Sequence, residues 1–254
     1  MKTALLGLLV SFLLPSIGCD WDKAPAQDKS FKVIISAREG VPSQLPPSYL
    51  EFLDPKSPKF VLEKEDVLPD GFMFWSFYGG TIDPANKGEK DKHIYFFAMN
   101  ADHIRPMMLD LENLEANLIK KLRETPAGIL VGPDKLKQLD KRVGDKIKTM
   151  GINYAGIDLE FEIVGELPFP RYKQSAFMNY GYLKKGFEDY EKRTKNAHPL
   201  AAKCLNIVWL RVPNMAAYER SRKLIENAVD FKSTPLKCNS EPELRAEFKG
   251  VFPP

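Results

Sequence analysis

Residues that commonly build catalytic or metal sites are scarce in this sequence. Among 254 residues there are three histidines and three cysteines, and no histidine lies at metal-binding spacing from another ligand-type residue. The sequence has no G-x-S-x-G turn for a serine nucleophile and no G-x-x-x-x-G-K-[ST] loop for a nucleotide. We therefore predict that the chain is not an enzyme and that it binds no cofactor or metal.

A strong charge of one sign is also missing. The formal net charge is +3, and no dense run of lysine and arginine with interleaved aromatic residues occurs, so nucleic acid is excluded as a partner. Apolar residues make up 44% of the chain, which is enough for a sizeable core. The 20 prolines and 16 glycines favour many short elements joined by stiff turns over a helical bundle.

No hydrophobic run is long enough to be a typical membrane span. Ala4–Gly18 follows Met1-Lys2 and falls short of the roughly 20 residues that a spanning helix needs. Residues 1–19 are therefore typical of an export signal, and the sequence Pro-Ser-Ile-Gly-Cys ending at Cys19 is similar to a bacterial lipoprotein signal. We predict a chain on the extracytoplasmic (periplasmic) side of the bacterial inner membrane. Lipid at Cys19 or an N-terminal membrane helix would attach it, and polar residues 20–30 predict a tether.

Local patterns predict a chain of alternating short strands and helices. Strands are predicted at Phe31–Ala37, Lys59–Glu63, Gly71–Gly80, Lys92–Asn100, Gly128–Gly132, Ser175–Tyr180, Leu205–Val212 and Ser233–Leu236. Two more are predicted between Gly132 and Ser175: one begins after the turn Val143–Asp145, and the other ends at Gly165. Helices are predicted at Pro47–Leu53, Leu109–Glu124, after Pro133, and at Tyr182–Lys195, Met215–Val229 and Glu241–Lys249, with Asn214 as a helix cap.

Two strand–helix–strand units, at about 31–63 and 205–236, bracket a middle part with more β structure. We therefore predict an α+β fold with two lobes: a ferredoxin-like lobe from both chain ends and an inserted β-rich lobe. The domain would cover residues 31–250, with the first lobe at about 31–68 and 200–250 and the inserted lobe at about 69–199.

Export would allow Cys204 and Cys238 to form a disulfide, but the predicted strands argue against it. If a helix makes these strands parallel, the two sulfurs lie at opposite ends of strands about 20 Å long. That separation exceeds the roughly 7 Å between Cα atoms that a disulfide tolerates. Two unpaired thiols, or an antiparallel arrangement of the strands, remain as the options.

Two groups of residues have side chains that could form a site. Asp158, Glu160 and Glu162 alternate along one strand and so share one face, which is more typical of a solvated sheet than of acid–base catalysis. The aromatic run from Phe72 to Tyr78 places rings on both strand faces, which favours core over a ligand platform.

Exposed loops are better candidates for contact with a partner. They are the proline-rich segment Val41–Pro47 and the charged segment Thr81–Asp91. The residues concerned are Pro42, Pro46, Pro47, Asp83, Lys87 and Lys90.

Six motifs, in this order and spacing, resemble one family. They are Phe31–Ala37, Leu45–Tyr49 (L-P-P-S-Y), Phe77–Gly80 (F-Y-G-G), Gly128–Gly132 (G-I-L-V-G), Val143–Ile147 (V-G-D-K-I) and Phe161–Gly165 (F-E-I-V-G). Together they resemble the periplasmic core domain of MacB-like, FtsX-like ABC transporter permeases. That resemblance covers nearly all of the chain after the tether, and it implies a porter-type α+β lobe with an inserted β-rich lobe.

The resemblance also implies a function and partners. The domain would couple membrane-helix motion, driven by an ABC ATPase subunit, to substrate export or to a periplasmic adaptor. Family permeases continue into membrane helices, whereas this sequence ends at Pro253-Pro254, so the permease helices would belong to a separate chain or a missing segment. The alternative is a stand-alone exported lipoprotein that binds a small ligand or a protein partner.

Overall fold

A computed structural model describes residues 31–39, 43–83, 85, 89–168 and 170–247. Its strands are β1 (Phe31–Ala37), β2 (Phe72–Thr81), β3 (His93–Met99), β4 (Gly128–Val131), β5 (Lys146–Gly151), β6 (Leu159–Glu166), β7 (Ala176–Asn179), β8 (Ile207–Val212) and β9 (Leu236–Asn239). Its α-helices are α1 (Leu50–Leu53), α2 (Ile104–Met107), α3 (Ala116–Glu124), α4 (Pro133–Leu139), α5 (Tyr180–Thr194), α6 (Met215–Asn227) and α7 (Glu241–Glu247).

Six of the strands close into a barrel. Their order is β2, β3, β7, β4, β6 and β5, and β5 pairs with β2 again to complete the ring. The pairs β3–β7 and β4–β6 are parallel, and the other four are antiparallel. Large side chains fill the interior, with the rings of Phe96 and Phe161 stacked at 4.6 Å between centroids and Tyr78 fully buried beside them. The barrel is therefore a packed core and not a channel.

The other three strands form an extension of the barrel. Phe72–Trp75, the first part of β2, pairs with β8, while Ser76–Thr81 pairs within the barrel. From β8 the order continues to β1 and then β9, with every pair antiparallel. We call β1, β8 and β9 the extension. Helix α6 packs on its inner face, where Tyr218 and Ile225 join the buried side chains of the strands.

The prediction of a ferredoxin-like, two-lobe α+β fold was wrong. The six central strands form a closed barrel, and the end strands continue its sheet through β2. Lys59–Glu63, which the first strand–helix–strand unit required, forms turns and bends instead of a strand. Pro55 and Pro58 lie just before it, and the Val61 amide donates to the carbonyl of Phe52, so this segment folds back on α1.

Two asparagine side chains bind β2 where it passes from the extension to the barrel. Asn206 Oδ1 accepts a hydrogen bond from the Phe77 amide at 2.8 Å, and Asn153 Nδ2 donates to the Phe77 carbonyl at 2.8 Å. Asn153 Oδ1 also accepts from the Gly79 amide at 2.8 Å. These bonds satisfy backbone groups of β2 between its last pair with β8, Trp75–Ile207, and its first pair with β5 at Gly80.

Helix boundaries follow local signals in the sequence. Asn214 caps α6 as predicted, because its side chain accepts from the Ala217 amide at 2.9 Å. Pro133 is the first residue of α4, and Asp140 in the left-handed region (φ 52°) ends that helix. The predicted helix from Leu109 was too long, since α3 begins at Ala116 after two short turns. In the ranges that the structure describes, no helix has the length and apolar character of a membrane span.

Candidate functional site

The proline-rich segment is attached to the extension. Leu45 forms a β-bridge with Leu205, and Pro47 opens a single 3₁₀ turn, Pro47–Tyr49, preceded by Pro46. The Tyr49 hydroxyl and Ser233 Oγ are 2.8 Å apart, which joins this turn to the segment before β9. Pro42, the remaining candidate of this loop, lies outside the described residues. The part of this candidate contact surface that is described is thus held on a fixed framework.

The charged segment continues the β2–β3 hairpin. Asp83 is half-buried, its amide donates to Thr81 Oγ1 at 3.1 Å, and its Oδ1 accepts from the Ala85 amide at 3.0 Å. Lys87 lies outside the described residues, and Lys90 is described for its backbone only, in the turn before β3. The two predicted contact segments belong to different cores, since Leu45 packs in the extension whereas Ile82 packs against the barrel core.

A buried lysine connects the base of this hairpin to α4. Lys135 is 4% exposed, and its Nζ donates to the His93 carbonyl at 3.1 Å and to Gln138 Oε1. Gln138 Nε2 in turn donates to Asp91 Oδ1 at 2.9 Å. Burial lowers the pKa of Lys135, and the Asp91 carboxylate opposes this shift. We call Lys135, Gln138, Asp91 and His93 the hairpin network.

The hydrogen bonds of the hairpin network have a structural role. An amine that donates two hydrogen bonds to neutral oxygens is held as a donor and is poorly placed to attack a substrate. Tyr95 flanks the network, with its hydroxyl 3.5 Å from His93 Nδ1, and burial raises the pKa of Tyr95 to about 12. The arrangement therefore fixes the β2–β3 hairpin to α4. Sequence reasoning missed Lys135, because only burial distinguishes it from the exposed Lys137 on the same helix.

The alternating carboxylates lie on an exposed strand face opposite lysines. In the β5–β6 pair, Glu162 lies directly across from Lys146 and Glu160 across from Lys148, and all four side chains are exposed. Opposite charges at such cross-strand positions stabilise the pairing. Asp158 Oδ1 accepts a hydrogen bond from the Gly151 amide at 3.1 Å. These contacts agree with a solvated sheet face.

Two cysteines, Cys204 and Cys238, and His198 are buried among apolar groups. Cys204 and Cys238 are free thiols, and burial raises the pKa of both, that of Cys204 to about 11. His198 lies against the rings of Tyr154, Phe187 and Tyr190, and burial lowers its pKa. Within the part of the chain that the structure describes, no three His, Cys, Asp or Glu side chains are grouped as metal ligands would be.

A groove of about 230 Å³ lies between α5 and the segment before β6. Its charged groups already have partners: Lys185 Nζ is 3.1 Å from Asp189 Oδ2, and Arg193 donates to the Gly156 carbonyl. Tyr182 closes one side by donating to the Glu160 carbonyl at 2.8 Å. The groove is therefore lined by groups that satisfy one another.

The aromatic run of β2 divides between two cores. Phe72 and Phe74 pack in or against the extension core, whereas Trp75 and Phe77 lie on the opposite face. There the ring of Trp75 lies 4.1 Å from that of Trp209. Lys32 Nζ lies 4.6 Å from the centroid of the Trp209 ring. The sequence contained one signal for this cluster, namely Lys32 and Arg211 within otherwise apolar strands.

Comparison of the sequence with protein-family models and with curated proteins gives no match.

Proposed function

We propose that this chain is an extracytoplasmic domain of an ABC-type permease, which couples membrane-helix motion driven by an ATPase subunit to substrate export or adaptor binding. The observation that carries the proposal is the position of the two described ends. The described part of the chain begins with β1 at Phe31 and ends with α7 at Glu247. Helix α7 packs against β1 and β9. Such neighbouring ends suit a domain whose two ends both lead toward a membrane.

The continuity of β2 supplies the coupling. A displacement applied at β1 or α7 acts on the extension, and β8 connects the extension to β2 through four paired positions from Phe72 to Trp75. The same strand continues into the barrel, where Ser76–Thr81 pairs with β3. Because packed sheets move as units more readily than they deform, motion at the ends would be carried to the barrel and the β2–β3 hairpin.

The contact surface for an adaptor or substrate would be the β2–β3 hairpin. The hairpin network holds its base to α4 through Lys135 and Gln138. Asp83 belongs to this segment, and its hydrogen bonds to Thr81 and Ala85 would hold a charged group in place for a partner. The role is mechanical and does not require a catalytic group. The proposal keeps the function implied by the family resemblance but not the fold that was expected with it.

Affinity purification of the tagged full-length chain from detergent-solubilised membranes of its source bacterium tests this proposal. We expect an ABC ATPase and a membrane protein with several spans to be recovered with it in comparable amounts. Recovery of the chain from membranes without either protein, or from the cytoplasmic fraction, would contradict the proposal.

The lipoprotein alternative rests on the Pro-Ser-Ile-Gly-Cys sequence ending at Cys19. Cys19 lies outside the described residues, so the lipoprotein alternative is tested by the covalent modification of Cys19. Mass spectrometry of the same membrane preparation should find a diacylglyceryl group on Cys19 and no leader if the chain is a lipoprotein. An intact leader with an unmodified Cys19 removes this alternative.

A further inference from the structure

Two cationic side chains lie directly opposite one another on one face of the extension. Lys32 of β1 is the cross-strand partner of Arg211 of β8, and both are half-buried. Residues that face each other across a strand pair point to the same side of the sheet, and like charges in that position destabilise the pair. Trp209 precedes Arg211 by two residues and therefore shares this face. The sheet thus places positive charge beside a large aromatic ring.

The Lys32 ammonium is largely withdrawn from water without a direct ionic partner. It lies 4.6 Å from the centroid of the Trp209 ring. Among the described residues, no carboxylate lies within 4.0 Å of it, and none accepts a hydrogen bond from it. Burial lowers the pKa of Lys32, and Arg171 and Arg211 lower it further, while Glu241 and Asp110 oppose the shift. Burying an ammonium without a hydrogen-bonded partner is costly.

Two buried indole N–H groups next to this lysine also lack acceptors. Within the described ranges, neither Trp75 Nε1 nor Trp209 Nε1 has a hydrogen-bond partner, although both atoms are shielded from solvent. Trp75 is 8% exposed, and its ring lies 4.1 Å from that of Trp209. Buried donors are nearly always satisfied in folded proteins, so two unsatisfied donors in one cluster point to a missing acceptor.

We propose that this cationic pocket, defined by Lys32, Trp75, Trp209 and Arg211, binds an organic monocarboxylate with an apolar body. A carboxylate supplies acceptor oxygens for the ammonium and indole donors, and its negative charge would pair with the Lys32 ammonium, which has no carboxylate within 4.0 Å among the described residues. Half-buried Phe77, Phe97 and Ile207 continue the same cluster and would contact the apolar body of the ligand.

The charges around the pocket favour a single negative charge on the ligand. The carboxylates of Asp110 and Glu241 act on the Lys32 ammonium together with the cations of Arg171 and Arg211, so a ligand bound there would also meet two negative charges. A doubly charged phosphate would be repelled by the two carboxylates, and a strongly hydrated inorganic anion gains nothing from the aromatic wall. This site goes beyond the proposed coupling role and does not depend on it.

Calorimetric titration of the purified full-length chain with benzoate and with octanoate tests the site. We expect saturable binding of at least one of the two carboxylates, and no saturable binding of benzamide, octanamide or inorganic phosphate. Lys32→Met should weaken carboxylate binding by about tenfold or more, because it removes a charge-assisted hydrogen bond. Trp209→Phe, which replaces the indole by a smaller aromatic ring without an N–H, should weaken binding about threefold or more.

A second lysine provides the matched control. Lys59 Nζ lies 5.8 Å from the Phe52 ring centroid, but it is exposed and already 2.7 Å from Glu51 Oε2. Lys59→Met should leave carboxylate binding unchanged, and circular dichroism of all three variants verifies folding. The site is overturned if neither carboxylate binds, if the neutral amides bind as tightly, or if Lys32→Met and Trp209→Phe, both folded, bind like the unmodified chain.

Discussion

Asn206 and Asn153 bind the two backbone polar groups of the same residue of β2, Phe77. The first accepts from its amide and the second donates to its carbonyl, each at 2.8 Å. Side-chain amides carry the same donor and acceptor groups as a peptide unit, so the two asparagines stand in for a neighbouring strand. They do so where β8 has ended and β5 has not begun. The continuity of β2 between the extension and the barrel therefore depends on two side chains outside any strand.

The two asparagines should differ in their contribution to stability. Asn206 is 4% exposed, so Asn206→Ala leaves the Phe77 amide without an acceptor in a place that water does not reach. We expect a loss of about 2 kcal/mol in the free energy of unfolding. Asn153 is exposed, and water can replace it, so Asn153→Ala should cost about 1 kcal/mol or less. Urea denaturation measures both, and an equal or reversed order would contradict this account.

Acid should weaken the C-terminal helix through one carboxylate. The Ser240 amide donates to Glu243 Oε2 at 2.6 Å and the Glu243 amide donates to Ser240 Oγ at 3.3 Å, which is a reciprocal cap of α7. Tyr218 and Arg222 also donate to the Glu243 carboxylate. Hydrogen bonds from the Ser240 amide and these side chains lower the pKa of Glu243 from 4.5 to about 2.

A group whose pKa is lowered on folding stabilises the protein above its unfolded pKa and ceases to do so as pH falls through the folded value. Glu243→Gln should therefore cost about 1 kcal/mol at neutral pH, and the difference from the unmodified chain should disappear between pH 4.5 and about 2. Thermal unfolding over this pH range measures it, with the exposed Glu219→Gln on α6 as control. A difference that persists at pH 2 would show that the carboxylate charge is not involved.

Gly132 should tolerate no side chain. A Cβ at this position would lie 2.0 Å from the carbonyl oxygen of Tyr172, which belongs to the backbone and cannot rotate away. We expect Gly132→Ala to lower the free energy of unfolding by about 2 kcal/mol or more. Gly181→Ala is the matched control, since its Cβ would meet only Asn179 Oδ1 at 3.1 Å. Because alanine favours helix, the control should be neutral or stabilising by denaturant unfolding.

The hairpin network predicts a local effect of Lys135. Lys135→Met removes the hydrogen bonds to the His93 carbonyl and Gln138, and it frees Gln138 from its fixed position beside Asp91. Amide hydrogen exchange should become roughly tenfold faster at Ile82, whose amide donates to the Lys92 carbonyl, and at Lys92, whose amide donates to the Glu89 carbonyl. Lys137→Met, an exposed change on the same helix, should leave these amides unaffected. Unchanged exchange in a folded Lys135→Met variant would show that Lys135 does not hold the hairpin.

Local structure was easier to predict from this sequence than the arrangement of its strands. The strand at Phe31–Ala37 and the helix cap at Asn214 are both determined by nearby residues in the sequence, and both predictions were confirmed. Barrel closure depends on pairs far apart in the chain, such as Phe97 with Phe177 and Gly80 with Gly151. The residue pattern within one strand does not specify which strand it pairs with. The sequence therefore did not distinguish a sheet with open edges from a closed barrel.

The cationic pocket and the hairpin network could not be predicted from the sequence, because both depend on contacts between separate segments of the chain. The pocket at Lys32 depends on β1 and β8 meeting in one register, which puts Lys32 opposite Arg211. In the sequence each of these two residues is only a single charge in an apolar strand. The hairpin network likewise depends on α4 packing beside the start of β3.

Strand β1 is synthesised long before either of the strands that pair with it. Both of its partners, β8 and β9, lie near the end of the chain, whereas all six barrel strands lie between. The barrel strands are therefore complete while β1, made first, still has two open edges. A chain that is exported with its N-terminus leading would carry this unpaired apolar strand across the membrane ahead of everything that covers it.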